Sequence, residues 1–187
     1  MVRDVTYSLG MSLDGYIEGP DGDFQWSVPD RALFRHSIEE VRGLGVHLLG
    51  RRLYESMLYW EDVDRSGLDA DQQEFADLWN ALPKVVFSRS LTEVRGNARL
   101  ASGTLAEEIE RLRAEPGPGS VGIGGADLAA QVAGLGQIDE YLIRVFPVLV
   151  GGGKPLFARD EREVGLDLLD TRTFANGVLF THYRVRR

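Results

Sequence analysis

The sequence predicts an α/β fold with a mostly parallel central sheet, flanking helices and antiparallel strands at the C-terminal end. Through most of the chain, short apolar strand patterns alternate with helical patterns, which is typical of parallel sheets. From residue 138 onward, strand patterns follow one another without helices, which favours antiparallel pairing. A chain of 187 residues is long enough for one core, so we expect residues 1–187 to form a single domain.

Hydrophobic periodicity and turn residues define the elements predicted in the N-terminal half. Val5, Tyr7 and Leu9 alternate with polar residues and predict the first strand, which leads into a Gly- and Asp-rich loop over residues 11–25. The elements predicted next are a helix over 29–41, a buried strand over 46–49, a turn over 50–55, a helix over 69–82 and a strand over 85–87.

The C-terminal half carries a helix and several strands. Thr104 and Glu107 form a capping box, which predicts a helix that runs through Arg113. The Pro-Gly-Pro-Gly stretch at 116–119 could be a linker, but too few residues follow it to form a second core, so we interpret it as an internal loop. The strands predicted here cover 98–101, 121–123, 138–150, 166–169 and 178–185.

Composition and charge exclude several classes of protein. The net charge of −8 argues against general nucleic-acid binding, which needs a basic surface. No apolar run is long enough to span a bilayer, and residues 1–4 enter a strand pattern without a signal peptide, so we expect no membrane partner. The lack of cysteine excludes thiol chemistry and suits a cytoplasmic protein. The three histidines show no metal-ligand spacing, so we expect no metal site.

The junction after strand 121–123 is the clearest candidate binding site. The strand runs into two glycines at 124 and 125 and then into an Ala-Asp-Leu helix start. Glycines let the backbone approach a ligand, and the free amides of a helix N-terminus attract phosphate. The segment therefore predicts a pyrophosphate site, although an ordinary structural turn explains the same pattern.

Two common nucleotide-binding motifs do not fit the sequence. The Rossmann pattern needs a third glycine where Asp127 stands. A Walker loop ending in the Gly-Gly-Gly-Lys stretch at 151–154 would need glycine at Val148 and Ser or Thr at Pro155. Neither motif is present.

Three strand ends carry groups suited to a dinucleotide. The Gly-Arg-Arg turn at 50–52 offers close backbone approach and positive charge, and the Ser-Arg-Ser turn at 88–90 suits a phosphomonoester. The third is the Gly-Gly turn at 124–125. Because ligands of open α/β sheets bind at the carboxyl ends of strands, we expect the three turns to form one dinucleotide site.

Five segments carry a family resemblance, and their order and spacing cover nearly the whole chain. They are SLDGYI at 12–17, LLGRRLYE at 48–55, KVVFSR at 84–89, IGGA at 123–126 and PVLVGGGKPLF at 147–157. On these segments the chain resembles the dihydrofolate reductase fold superfamily, and more closely the bacterial proteins similar to the reductase domain of riboflavin biosynthesis. The resemblance implies a dihydrofolate reductase-like fold and an NADPH-dependent reductase.

The resemblance also implies roles for individual residues. It implies that the phosphates of NADPH lie along Gly50, Arg51 and Leu53. It assigns the adenosine 2′-phosphate to Ser88 and Arg89. The pyrophosphate is assigned to Gly124, Gly125, Ala126, Asp127 and Leu128, the nicotinamide to Gly10, Met11 and Ile17 under a mobile loop at 14–23, and the substrate ring to Trp26 and Phe34.

One departure from folate reductases affects the expected substrate. In those enzymes a carboxylate just inside the helix after a Trp-x-x-Pro stretch anchors the pterin. Counted from Trp26, that position is Arg31, and the acid Asp30 lies one residue earlier, about 100° away around the helix. Asp30 also suits the start of a helix, where a carboxylate complements the dipole. We therefore expect Arg31 to contact a substrate other than dihydrofolate.

The sequence thus predicts an NADPH-dependent oxidoreductase that transfers hydride to a pterin-like or pyrimidine-like heterocycle. Asp30 is the candidate proton donor, and an ordered water is the alternative. Two other functions stay open: a non-catalytic nucleotide-binding or regulatory protein on the same fold, and a flavin-binding reductase. The resemblance and the apolar run over 141–150 favour a homodimer, although a core strand explains the run equally well.

Overall fold

An eight-stranded sheet forms the centre of the protein in the computed structural model, which describes residues 2–157 and 162–187. In these residues the strands are β1 (Val5–Ser12), β2 (Tyr16–Glu18), β3 (Leu44–Gly50), β4 (Lys84–Phe87), β5 (Ala98–Leu100), β6 (Ser120–Gly124), β7 (Glu140–Phe146), β8 (Lys154–Pro155), β9 (Leu166–Thr173) and β10 (Leu179–Val185). The α-helices are α1 (Arg31–Arg42), α2 (Arg51–Met57), α3 (Tyr59–Asp62), α4 (Ala70–Ala81), α5 (Leu105–Ala114) and α6 (Ala126–Gly134).

The sheet has the order β5-β4-β3-β6-β1-β7-β10-β9. All neighbouring pairs from β5 to β7 are parallel, whereas β10 runs antiparallel to both β7 and β9. The predicted fold, a mostly parallel sheet finished by antiparallel strands, is therefore confirmed. β2 and β8 form a separate antiparallel pair.

Helices cover both faces of the sheet. Leu48 and Leu49 are neighbours in β3 and both are fully buried, yet they belong to different core clusters. Successive side chains of a strand point to opposite faces, so each cluster marks one face. The cluster of Leu48 contains Ile109 of α5, whereas that of Leu49 contains Ile38 of α1 and Trp79 of α4. Full burial of each such side chain stabilises the fold by roughly 1.5–3 kcal/mol.

The predicted capping box at the start of α5 is confirmed. The Thr104 hydroxyl accepts a hydrogen bond from the Glu107 amide at 3.3 Å, and the Glu107 carboxylate accepts one from the Thr104 amide at 2.8 Å. Asp69 and Gln72 make the same reciprocal pair at the start of α4. Each pair satisfies amides that a helix N-terminus leaves without partners.

Several predicted boundaries were wrong. The strand expected over 138–150 is β7, which stops at Phe146 because Pro147 has no N–H to donate and Val148 turns back to bond the Phe146 carbonyl. The strand expected over 166–169 is the eight-residue β9. The helix expected from 29 begins at Arg31. The loop over 11–25 contains β2, a three-residue strand too short for a periodic signal.

The stretch at 116–119 connects α5 to β6, which lies between β3 and β1 in the sheet. The segment leading into a central strand is an internal loop, as predicted. Gly119 packs so closely on β3 that a side chain there would lie 2.4 Å from the Gly45 nitrogen. The loop is therefore part of the packed structure.

Candidate functional site

Three strand ends meet in one cleft of about 880 Å³. β4, β3 and β6 are consecutive parallel neighbours, with Gly50 opposite Phe87 and Leu49 opposite Gly124. The prediction that the three turns share an edge is confirmed. Of the residues assigned to the cofactor, the cleft is lined by Ile17, Gly50, Arg51, Leu53, Ser88, Arg89, Gly125, Ala126, Asp127 and Leu128.

The N-terminus of α6 opens into this cleft. Gly125 is its N-cap with φ +99, a conformation that favours glycine, and no side chain caps the helix. The first bond inside the helix runs from the Ala129 amide to the Gly125 carbonyl, so the amides of residues 126–128 have no partner within it. A β-carbon built on Gly125 would meet no atom within 4 Å. The turn leaves open space in front of free amides, which is the arrangement a diphosphate needs.

The turn after β4 presents a hydroxyl and a guanidinium. The Ser88 oxygen accepts hydrogen bonds from the Ser90 and Leu91 amides at 3.1 and 3.0 Å, which leaves the hydroxyl proton to donate. Arg89 is exposed, and its guanidinium has no ion-pair partner among residues 2–157 and 162–187. A hydroxyl donor beside an unpaired cation can bind a phosphomonoester.

The turn after β3 adds two more cations. The Arg51 guanidinium lies 3.2 Å from the Glu55 carboxylate one helical turn later, and both side chains are largely exposed. Arg52 also lines the cleft and is exposed. An exposed ion pair such as Arg51–Glu55 is weak, at about 0.3–0.5 kcal/mol, so Arg51 can exchange its partner for an anionic ligand.

Gly124, which was also assigned to the cofactor, does not line the cleft and packs against its neighbours instead. A β-carbon there would lie 2.5 Å from His47 Cε1 and 2.6 Å from Leu53 Cδ2. Gly122, two residues earlier on the same face, would also clash with His47, at 2.8 Å. Burial lowers the pKa of His47 to about 4, with a smaller contribution from the Lys84 charge, so this imidazole is neutral at neutral pH. The sequence did not reveal this function of the glycines in β6.

Gly10 and Met11 do not line the cleft. A β-carbon on Gly10 would lie 2.7 Å from the Phe146 ring, so this glycine accommodates packing against β7. Met11 lines a second, mainly apolar cavity of about 590 Å³ together with Tyr141 and Leu156. The nicotinamide contacts that the resemblance implied for these two residues stay a prediction.

Asp30 and Arg31 both make side-chain contacts at the start of α1. The Asp30 carboxylate is the N-cap and accepts a hydrogen bond from the Leu33 amide at 2.9 Å. The Arg31 guanidinium lies 2.7 Å from Asp71, and its hydrogen bond lowers the pKa of that carboxyl. The Arg31 side chain is 84% exposed, which leaves it accessible to a ligand. The predicted roles of both residues toward substrate stay predictions.

The two aromatic residues assigned to the substrate pack within the protein. Trp26 meets Phe146 edge to face at a centroid distance of 5.7 Å. Phe34 stacks on Trp60 at 6.3 Å and tilts against Phe75 at 5.4 Å. Both rings are half-buried, and neither lines the cleft.

The sequence reasoning assigned no site role to six other residues of the cleft, namely Leu9, Ser56, Phe87, Leu105, Gln131 and Lys154. Arg52 and Glu18 also line the cleft, and both lie in segments that the sequence analysis placed near the cofactor, the Gly-Arg-Arg turn and the loop at 14–23. Lys154 follows three glycines, but the sequence analysis gave this segment no binding role because it lacks the Walker pattern. Lys154 reaches the cleft through the β2–β8 pair, which periodicity did not predict.

Two classes of feature were searched for in the described part of the chain. No group of three or more His, Asp or Glu side chains there has the arrangement of a metal site. Among the same residues, none of the helices has the length and apolar character needed to cross a membrane.

Two Bacillus subtilis proteins resemble the chain over nearly its whole length. The uncharacterized protein YyaP is 30% identical over 178 residues, which is 95% of this chain and 92% of YyaP. The uncharacterized protein YwjB is 26% identical over 98% of this chain and 99% of its own.

Solved structures show the same fold. A putative riboflavin biosynthesis protein from a Shewanella species has a TM-score of 0.76 and 25% identity, with complete coverage of both chains. A pyrimidine reductase-like protein from Corynebacterium diphtheriae has a TM-score of 0.68 and 15% identity, covering 99% of this chain and 92% of that one. The Thermotoga maritima diaminohydroxyphosphoribosylaminopyrimidine deaminase/5-amino-6-(5-phosphoribosylamino)uracil reductase has a TM-score of 0.65 and 17% identity, and this chain covers 57% of it.

The family described as RibD C-terminal domain matches residues 3–180, from the start of the sheet to the last strand. The match includes all three turns of the cleft and the segment that carries Lys154. The structural neighbours show the same reductase-like architecture. The protein therefore belongs to the RibD C-terminal domain family.

Proposed function

We propose that the protein is an NADPH-dependent oxidoreductase that transfers hydride to a small pyrimidine-like or pterin-like heterocycle. The observation that carries the proposal is the meeting of three strand-end turns in one cleft, each with groups that bind phosphate. Membership of the RibD C-terminal domain family supports it, and the Thermotoga neighbour is named as a uracil reductase. We further propose that it acts in the cytoplasm, which a chain without cysteine suits.

The residues of the cleft fit the parts of NADPH. The uncapped amides at the start of α6 suit the diphosphate, with Gly125 leaving room for it. Ser88 and Arg89 suit the 2′-phosphate, and Ile17 offers an apolar surface to the nicotinamide. When bound, the cofactor supplies the hydride, and the protein orients the two reactants and keeps water away.

The source of the proton is proposed to be water. Asp30 would have to leave its hydrogen bond with the Leu33 amide to act as an acid. Loss of that bond would leave the start of α1 without its side-chain cap. A water molecule beside the substrate could donate a proton without breaking the Asp30–Leu33 hydrogen bond.

The first experiment is a titration with NADPH and NADH, followed by a screen for substrates. We expect tighter binding of NADPH than of NADH, and oxidation of bound NADPH by at least one member of a panel of pyrimidines and pterins. If the protein binds neither NADPH nor NADH, the proposed function is overturned.

Dihydrofolate forms a separate arm of the screen. Because the acid nearest the expected anchor position caps α1, we expect little or no turnover of dihydrofolate. Turnover at about 1 per second or faster, abolished by Asp30→Asn, would show that Asp30 anchors a pterin after all.

The capping role of Asp30 also favours a second function, a nucleotide-binding protein without turnover. Tight binding of NADPH with no oxidation by any compound in the panel would support it. A flavin-binding reductase would differ from both, because the purified protein would be yellow.

A further inference from the structure

The Gly-Gly-Gly-Lys segment at 151–154 brings a cation to the mouth of the cleft. It lacks the Walker pattern, yet the Lys154 ammonium lies 2.9 Å from the Asp127 carboxylate, and both residues line the cleft. Asp127 is the second helical residue of α6, so this ion pair stands directly at the uncapped helix N-terminus.

The backbone around Lys154 is held by the paired strands β2 and β8. Glu18 is opposite Lys154, and the Leu156 amide donates to the Gly15 carbonyl at 2.9 Å. Gly153 has φ +116, and a side chain there would lie 2.0 Å from the Glu18 carbonyl oxygen. Only glycine permits this approach, so the segment fixes the start of the lysine side chain over the cleft.

A second anchor holds the other end of the glycine segment. The Asp14 carboxylate accepts hydrogen bonds from the Val150 and Gly151 amides at 3.2 and 2.8 Å. It also accepts one from the Ser12 hydroxyl at 2.6 Å, and this bond is the main reason that the pKa of Asp14 is lowered. The glycine segment is therefore tied to the N-terminal loop on both sides of Lys154.

The charges at the mouth of the cleft would let the Lys154 ammonium exchange the Asp127 carboxylate for a diphosphate. The Asp127 side chain is 78% exposed, whereas that of Lys154 is 28% exposed. A carboxylate at this position is attracted by the same helix amides that suit a diphosphate, and it repels a diphosphate that arrives there. An ammonium has three donors and no fixed orientation, so it can turn from one anion to another.

We propose that Lys154 is a ligand of the cofactor's diphosphate and that Asp127 holds the ammonium in place until the diphosphate replaces it. The proposal rests on the proposed function and adds a residue and a competing charge to it. It predicts that the lysine acts on every ligand with a diphosphate, with or without a 2′-phosphate or a nicotinamide. Arg89, in contrast, would affect only ligands that carry the 2′-phosphate.

The test compares binding of NADPH, NADH and ADP by calorimetry in four variants. Lys154→Ala is expected to weaken all three ligands by about tenfold or more, because it removes a charge-assisted hydrogen bond. Lys154→Arg should restore most of the affinity. Asp127→Asn is expected to tighten all three by a few-fold, because it removes a repelling charge at about the same volume. The fourth variant is Arg89→Ala, which should spare NADH and ADP.

The matched controls are variants of Arg186 and Asp167, which form an exposed ion pair outside the cleft. The Arg186 Nε atom lies 2.6 Å from the Asp167 carboxylate. Arg186→Ala and Asp167→Asn change the net charge by the same amounts, so they measure the long-range electrostatic effect alone. Thermal unfolding of each variant checks the fold, and the gain expected for Asp127→Asn cannot arise from misfolding.

The outcomes separate this inference from the proposed function. If the wild type binds all three ligands and Lys154→Ala behaves like Arg186→Ala, the lysine is no ligand and the proposed function stands. If the wild type binds ADP alone, with the expected loss in Lys154→Ala, the lysine is confirmed and the NADPH-dependent function fails. If it binds none of them, both are overturned.

Discussion

Arg89 is the residue on which the choice between NADPH and NADH is expected to depend. Its exposed guanidinium follows β4, beside a Ser88 hydroxyl whose nearest recorded acceptor is the Ser90 oxygen at a long 3.5 Å. One charge-assisted contact to a phosphate contributes about 1.5–3 kcal/mol. Arg89→Ala should therefore weaken NADPH by about tenfold or more and leave NADH nearly unchanged. Parallel titrations with the two cofactors measure the difference, and equal losses would remove Arg89 from the 2′-phosphate site.

The neighbouring glycines of the α6 turn are expected to respond differently to substitution. Gly125→Val should abolish cofactor binding, because its side chain would enter open space before the helix amides. The φ of +99 also strains any side chain there, so we expect a lower midpoint but still a cooperative thermal transition. Gly124→Ala should lower the stability of the fold, because its methyl group would meet His47 and Leu53. Thermal unfolding and cofactor titration of both variants separate the two effects. Normal binding by Gly125→Val would make the turn purely structural.

For single residues, the sequence predicted which ones line the cleft better than it predicted which glycines are needed for packing. Ser88 and Arg89 follow a short apolar strand, and the position of a strand end is visible in sequence. The clash of Gly124 with His47 depends on the register between β3 and β6, which no local pattern contains. For Asp30 the sequence offered an alternative role at the start of the helix, through the helix dipole. Its position as the N-cap was not predicted, because the helix was expected to begin at residue 29.

Lys84 links the end of α4 to the start of β4. Its ammonium donates to the Trp79 and Leu82 carbonyls at 2.6 and 3.0 Å, although the residue is 3% exposed. Burial lowers the pKa of this lysine. Lys84→Met keeps the approximate shape but leaves the two carbonyls without a donor, so we expect the free energy of unfolding to fall by about 1.5–3 kcal/mol.

Urea unfolding measures this loss through the shift of the midpoint at a constant slope. Arg186→Met, which removes an exposed cation, is the control and should change the free energy of unfolding by less than about 0.5 kcal/mol. A Lys84→Met variant as stable as the wild type would show that the cost of burying the ammonium offsets its hydrogen bonds.

Among the elements, length decided what could be predicted. Helices such as α4 and α5 carry periodicity and capping boxes over ten residues or more, so both were found. β2 and β8 have three and two residues and are stabilised by pairing with each other, so neither has a pattern of its own. The end of β7 at Phe146 could have been read from Pro147, but the apolar run continues beyond it.

Acid should destabilise the whole molecule in two windows. Burial holds the pKa of His47 at about 4, below its usual 6.5, so the unfolded chain takes up the proton first and stability falls as the pH drops from 6.5 to 4. Burial opposes the charge on Glu108, but hydrogen bonds from Arg99 and the Ser102 amide outweigh it and lower the pKa to about 2. Its contribution is present above 4.5 and is lost as the pH falls toward 2.

Urea unfolding across both windows tests this expectation in variants of similar shape. His47→Gln should flatten the pH dependence of the free energy of unfolding in the upper window, and Glu108→Gln should flatten it in the lower one. An unchanged slope in either variant would remove that residue from the acid response.

A homodimer remains our expectation, now on different grounds. The apolar run over 141–150 lies largely in β7, between β1 and β10, so the sheet itself explains it. One edge of the sheet is the exposed strand β9. Val164, Leu166 of β9 and Leu179 of β10 are exposed apolar residues that line the mainly apolar cavity of about 590 Å³ described above. Exposed edges and apolar grooves of this kind favour association.

Light scattering tests the oligomeric state directly. We expect about twice the chain mass of 20.8 kDa, and Leu166→Lys should shift the protein toward the monomer. A mass near 20.8 kDa at micromolar concentration would contradict the expectation.

The two lysines of the chain differ sharply in access to solvent. The Lys84 amine is enclosed and bonded to two carbonyls, whereas the Lys154 amine stands at the mouth of the cleft. Apart from the terminal amino group, an acylating reagent should therefore modify Lys154 far ahead of Lys84. Slower acylation of the Lys154 amine would therefore measure how much of the cleft is occupied by a ligand, with no need to introduce a cysteine for labelling.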